Sequence, residues 1–319
     1  MNEIKLLISV CCFCLVLSTA SCRKQPEQPA GAEKKRLVVV TSLFPVYDFA
    51  RQVAGPRADV NLLLPPGMET HSFELRPGDL LRLNRADIFF YTNKAMEPWV
   101  ADIQKGISSK DLLVINSGEA VTLQEGSEEG HDTEIKGHGR HGLDPHIWLD
   151  PDNAVSMIEK IRDGYILKDP AGKEAYQKNA SDYIAKLRLL DRSYREGLAG
   201  CSKRVMVTGG HGTFGYLARR YGLGYVSAYG LAPNAEPAPG SLIRVTAALK
   251  KNGLKHIYFE ELMTPRVAEM IGRETGAELL LLHGIHNISR DDFDQGVTFL
   301  FLMEKNLEQL RKGLQCSQN

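Results

Sequence analysis

The chain has 319 residues, with 39 Lys and Arg balancing 39 Asp and Glu, so its formal net charge is zero. That balance and a pI of 7.1 leave no basic stripe, which argues against a nucleic-acid binder and for a small partner. With a leader set aside, about 290 residues remain, enough for two compact domains with real cores.

The leader is MNEIKLLISVCCFCLVLSTASC, an uncharged apolar run from Leu6 to about Ala20 followed by small residues before Cys22. The run is shorter than the ~20 residues a membrane span needs, so residues 1–21 read as a secretory signal peptide. Small residues ahead of a cysteine resemble a bacterial lipobox, with Thr19 where that motif usually has Leu. On this reading Cys22 is lipidated; ordinary signal cleavage is the alternative. The polar, Pro-rich residues 22–35 are then a tether from membrane to domain. Signal removal discards Cys11, Cys12 and Cys14, which leaves Cys201 and Cys316 as the expected disulfide in an oxidising compartment.

From Arg36 onward, short apolar runs alternate with helical stretches. RLVVVTS, DVNLLL, DIFFYT and LLVIN read as buried parallel strands, and VYDFARQVAG, GDLLRLNRA and PWVADIQKGI as the helices among them. KRVMVT, GYVSA, KHIYFE and ELLLL repeat the theme, separated by TFGYLARRYG, SLIRVTAALKKNG and PRVAEMIGRETG. The fold class is therefore α/β, with two lobes, each a parallel sheet flanked by helices. The N-terminal lobe spans 36–168 and the C-terminal lobe 200–319. Between them, residues 169–199 carry helix formers without internal Pro or Gly after Lys173, apart from Gly197, and read as one rigid helix joining the lobes. Leu123–Gly142 interrupts the first lobe with acids, glycines and His131, His138 and His141, without periodicity. It reads as a mobile loop, either a solvated insertion or a weak metal-collecting segment.

Of nine histidines, His71 lies in GMETHSFEL, His146 in LDPHIWLDP, His211 in TGGHGTFG, and His283 and His286 in LLHGIHN. All but His146 follow strand ends, and ligands of open parallel sheets bind beyond the carboxyl ends of the strands. Two lobes facing across that crevice would bring these imidazoles together around one cation. With the thiols accounted for, nitrogen donors favour Zn(II) over Mn(II) or Mg(II), which prefer oxygen. No HExxH helix is present and the candidate ligands are roughly 65 to 75 residues apart. Glu74, Glu97, Glu236, Glu260 and Glu261 could each serve a metallohydrolase as general base, but none has diagnostic spacing. GHGTFG matches a dinucleotide fingerprint, yet it places His211 where pyrophosphate needs bare backbone, and no acid ends the next strand.

GMETHSFELRPGDLLRLNRADIFFYTNKAMEPWV, DPHIWLDP, GHGTFGYLARRYGL, Glu236-Pro237 and LEQLRKGL together resemble the solute-binding lipoproteins of bacterial zinc/manganese ABC importers. The resemblance spans essentially the whole mature chain. It implies two α/β lobes joined by one long helix, with a single metal ion between them. His71, His146 and His211 match the family's first three ligands. Manganese-specific relatives typically have glutamate third, so His211 points to zinc. At the fourth position the family often has an aspartate after the last strand; His283 is nearest to it in register and His286 is the rival. Asp144, Asp150 and Glu260 are candidates to orient the ligating imidazoles, with Trp148 and the prolines holding the ring of His146. The implied protein is a lipid-anchored, extracytoplasmic monomer. It captures Zn(II) and delivers it to an ABC permease, with no catalysis, and its affinity falls as pH drops through about 6.5. Manganese binding, an adhesin-like role and a metallohydrolase are the alternatives.

Overall fold

The computed structural model describes residues 36–126, 142–231 and 237–317. The leader, the tether, Cys22, the loop histidines His131, His138 and His141, and Glu236 lie outside the described residues.

The first sheet holds β1 (Leu37–Thr41), β2 (Ala58–Leu62), β3 (Ile88–Tyr91) and β4 (Leu113–Asn116) in the order β2-β1-β3-β4, with every pair parallel. All four residues of β3 are buried, as expected of a strand covered on both faces. Its helices are α1 (Phe44–Ala54), α2 (Pro77–Asn84) and α3 (Val100–Gly106). Pro45 and Pro77 stand at the starts of α1 and α2, where a missing N–H costs no helical bond.

An 18-residue helix, α4 (Pro151–Lys168), follows and turns through Pro170–Gly172 into the 27-residue α5 (Lys173–Ala199). The second sheet repeats the first, with β5 (Val205–Thr208), β6 (Gly224–Ser227), β7 (His256–Phe259) and β8 (Glu278–Leu281) in the order β6-β5-β7-β8. Its helices are α6 (Gly215–Arg220), α7 (Pro239–Asn252) and α8 (Arg266–Thr275), and α9 (Arg290–Asp294) and α10 (Phe299–Gly313) close the chain. Helices α7 and α8 end at Gly253 and Gly276, whose φ values of 56° and 73° are readily adopted only without a Cβ.

Helix α5 buries a stripe of Tyr176, Ala180, Tyr183, Leu187, Tyr194 and Leu198 and packs against α1 and α4 of the first lobe and α10 of the second. The Tyr183 hydroxyl donates to Asp48 at 3.0 Å, and the same Asp48 oxygen accepts from Phe299 N, the first amide of α10, also at 3.0 Å. One buried carboxylate on α1 thus joins both lobes and the helix between them.

The main apolar core is continuous across the molecule. It contains Val39, Phe49, Phe89 and Trp148 together with Met206, Phe214, Tyr258, Leu280 and Phe299. A smaller core under the outer face of the second sheet contains Val207, Val245, Ile257 and Ile271. Neighbours Met206 and Val207, and Ile257 and Tyr258, fall into different cores because successive strand residues point to opposite faces. A disulfide joins Cys201, just after α5, to Cys316, just after α10, where the chain enters and leaves the second lobe.

Candidate metal centre

Each candidate imidazole is set by a local device. After β2, the Glu69 carboxylate accepts from His71 N (2.7 Å), Ser72 N (2.8 Å) and the Ser72 hydroxyl (2.6 Å), folding a turn that aims the His71 ring. Asn287 of the opposite lobe clamps this turn by donating to the carbonyls of Pro65 and Met68 at 2.7 and 2.9 Å.

His146 sits just before the 3-10 turn Ile147–Leu149 and is fully buried. Asp144 Oδ1 accepts from its backbone N at 3.0 Å and pairs with its Nδ1 at 2.8 Å. His211 follows β5 and is held the same way by Glu260, which accepts from His211 N at 2.7 Å and pairs with Nδ1 at 2.9 Å. A Cβ on Gly210 would collide with this carboxylate, which is why the loop reads GGH. Glu260 therefore occupies the loop amide that a nucleotide phosphate would need. Asp150 touches no candidate imidazole; it caps α4 through Asp152 N at 2.8 Å and pairs with Arg220 at 2.7 Å.

The turn after β8 separates the two histidines that the sequence left as rivals. Ile285 has φ 61°, a strained value for a β-branched residue. Glu261 holds the turn by accepting from Gly284 N at 2.7 Å and Ile285 N at 3.1 Å. His283 lies outside the imidazole cluster: its Nδ1 is 2.9 Å from Ile285 N and 3.1 Å from Glu261 Oε1, and Asn306 brackets its backbone with two 2.7 Å bonds. His286 is the ring turned inward. Register put His283 before His286; in this geometry it is His286 that joins the other three imidazoles.

The structure brings His71, His146, His211 and His286 together. One nitrogen from each lies within 4.8 Å of all the others, and no other such group of His, Cys, Asp or Glu occurs among the described residues. Ring centroids are 4.9–5.7 Å apart. A tetrahedral zinc with Zn–N of about 2.0–2.1 Å separates its donors by roughly 3.4 Å, so shifts of about an ångström would complete the shell. Nε2 of His71, His146 and His286 is buried without a hydrogen-bond partner. Buried polar atoms are rarely left so, and three free ring nitrogens within one imidazole cluster suit a cation.

Electrostatics agree with that chemistry. Burial first, then the crowding of His286, His146 and His211, pushes the His71 pKa down to about 2. Burial and the same crowding hold His146 well below its ordinary range. Both rings are thus neutral, as metal ligands must be. Burial is the largest single influence on His211 and lowers it, but the charge and hydrogen bond of Glu260, with the charges of Glu261 and Glu69, together outweigh it and the net shift is upward. His71 alone of the four is only half-buried; the cleft beside it is lined by Met68, Glu69, Leu262 and Met263.

Sequence reasoning passed over Glu69, Asn287 and Asn306, which orient the loops without belonging to any ligand motif. It nominated Glu261 only as a general base. For Glu69, Asn287 and Glu261 the signal available was position, beside a candidate histidine or just after a strand, whereas Asn306 lies mid-helix in α10 and had none.

Comparison with known proteins follows the same line. The family model described as zinc-uptake complex component A, periplasmic (ZnuA), matches residues 39–313. The chain is 35% identical over 311 residues to the high-affinity zinc uptake system protein ZnuA of Bacillus subtilis, covering 97% of each. It is 37% identical over 315 residues to the zinc-binding lipoprotein AdcA of Streptococcus pneumoniae, covering 98% of this chain but only 61% of that relative's length. The crystal structure of the Zn(II)-bound ZnuA-like domain of the pneumococcal AdcA superposes with a TM-score of 0.74 at 35% identity, over 88% of this chain and 99% of that one.

Proposed function

We propose, from the premise that this chain belongs to the ZnuA family of zinc-uptake components, that it captures Zn(II) through His71, His146, His211 and His286 and hands the ion to a membrane permease. The family's members are the solute-binding parts of ABC importers, so the chain is an extracytoplasmic transport protein and not an enzyme. Zinc is its cargo, not a catalytic cofactor.

The observation that carries the ligand assignment is the meeting of unpartnered Nε2 atoms from both lobes. Four nitrogen donors and no carboxylate in the cluster favour zinc over manganese. Asp144 and Glu260 accept the outer ring protons of His146 and His211, which fixes the tautomer and raises donor strength. Anchoring through a lipid on Cys22 and a monomeric state complete the proposal. The former rests on the leader pattern and on a relative named a lipoprotein.

The test is metal analysis of protein purified without added ions, followed by competition between zinc and manganese. One zinc per chain that excess manganese fails to displace is expected; retained manganese or no bound metal would refute the reading. Substituting His211→Glu, which adds an oxygen donor, should move preference towards manganese.

A further inference from the structure

Glu97 lies between β3 and α3, in AMEPWV, and is 1% exposed. Burial pushes its carboxyl up to about 7. Its oxygens nevertheless accept from the Ser42 hydroxyl at 2.5 Å, Thr92 N at 3.0 Å and Asn93 N at 2.9 Å, all neutral donors. A neutral side-chain amide has one oxygen for those three donors, whereas a carboxylate has two. Glu97 thereby ties the residue after β1 to the two residues after β3, at the carboxyl ends of the sheet's central strands.

The network continues towards the metal centre. The Asn93 oxygen accepts from Ala95 N and Met96 N at 3.0 and 2.9 Å, which fixes the plane of its amide. The Asn93 nitrogen then donates to the Pro145 carbonyl at 3.0 Å. That carbonyl belongs to the peptide unit joining Pro145 to His146. Every member of the path, Ser42, Thr92, Asn93, Glu97, Pro145 and His146, is buried.

We propose that Glu97 is a positioning residue for zinc capture, which sets the His146 ring through Asn93 and the Pro145 carbonyl without touching the ion. Asp144 fixes which nitrogen of the ring is free; Glu97 and Asn93 fix where the backbone carrying that ring stands. The inference rests on His146 being a zinc ligand.

The experiment is a double-mutant cycle on zinc affinity with Glu97→Gln, Asn93→Ala and His146→Ala, together with absorption spectra of the Co(II)-loaded proteins. Asn93→Ala carries the test should Glu97→Gln fail to fold. Glu97→Gln and Asn93→Ala should each lower affinity about tenfold when His146 is present and by less than about twofold when it is already alanine. Each should also shift the Co(II) bands while His146 is in place. A general loss of folding would instead act equally in both backgrounds, and that result, or an affinity within about twofold of the parent, overturns the proposal. If His146→Ala alone leaves affinity unchanged, the ligand assignment itself fails and the positioning role falls with it. If His146→Ala abolishes binding while Glu97→Gln and Asn93→Ala do nothing, only the positioning role fails.

Discussion

At the scale of single residues, Asp144 and Glu260 decide what the imidazoles can do. Asp144→Asn keeps an oxygen beside His146 Nδ1 but removes the charge, and an amide turned the other way would offer a donor to a donor. Zinc affinity should fall by about 10- to 100-fold, measured by chelator competition, with the fold intact. His211 stands apart from His71 and His146 in its response to pH. His71 and His146 are held neutral far below 6.5, whereas His211 is raised, so at pH values below that raised pKa the ion must displace a proton from that ring. Affinity should therefore begin to fall above pH ~6.5 and drop by about tenfold per unit below the raised value. Equal affinities at about pH 7.5 and pH 5 would deny histidine ligation. His71, His146 and His211 were legible because each stands in a loop whose neighbours restrict it. The choice between His283 and His286 was not, because it turns on a left-handed Ile285 that no propensity announces.

Among elements, the eight strands of the described residues were legible as short apolar runs; central β3 is buried throughout, whereas the edge strands β2, β6 and β8 expose part of their length. Helix α4 was missed: its opening residues belong to the DPHIWLDP motif, and its 18 positions carry charges on a partly exposed face. The long α5 was read from its formers and spacing. What the sequence could not show is how loops from opposite lobes bind one another. The Trp148 indole donates to the Gly284 carbonyl at 2.9 Å, two residues before His286, and its ring lies 5.5 Å from His146 and 5.2 Å from His286. Trp148→Phe keeps most of the packing but leaves that carbonyl unpaired, at a cost of about 1–3 kcal/mol. Zinc should dissociate roughly tenfold faster, as followed by stopped-flow transfer to a chelator. An unchanged rate would mean that the bond contributes nothing to holding the lobes on the ion.

For the whole molecule, the disulfide and the core act in different ways. Cys201 and Cys316 are 115 residues apart and close a loop around the entire second lobe. By loop-closure entropy, opening it should remove up to about 4–5 kcal/mol of stability. Neither cysteine belongs to the imidazole cluster, so Cys201→Ser with Cys316→Ser should lower the midpoint of urea unfolding while leaving zinc affinity within about twofold. The apolar interior, in contrast, runs unbroken from β1 through Trp148 to α10. Two sheets that share one interior have no seam along which heat could part them. Calorimetry on the metal-free protein should accordingly record a single endotherm whose van't Hoff and calorimetric enthalpies coincide, and two resolved peaks would show that the halves melt independently.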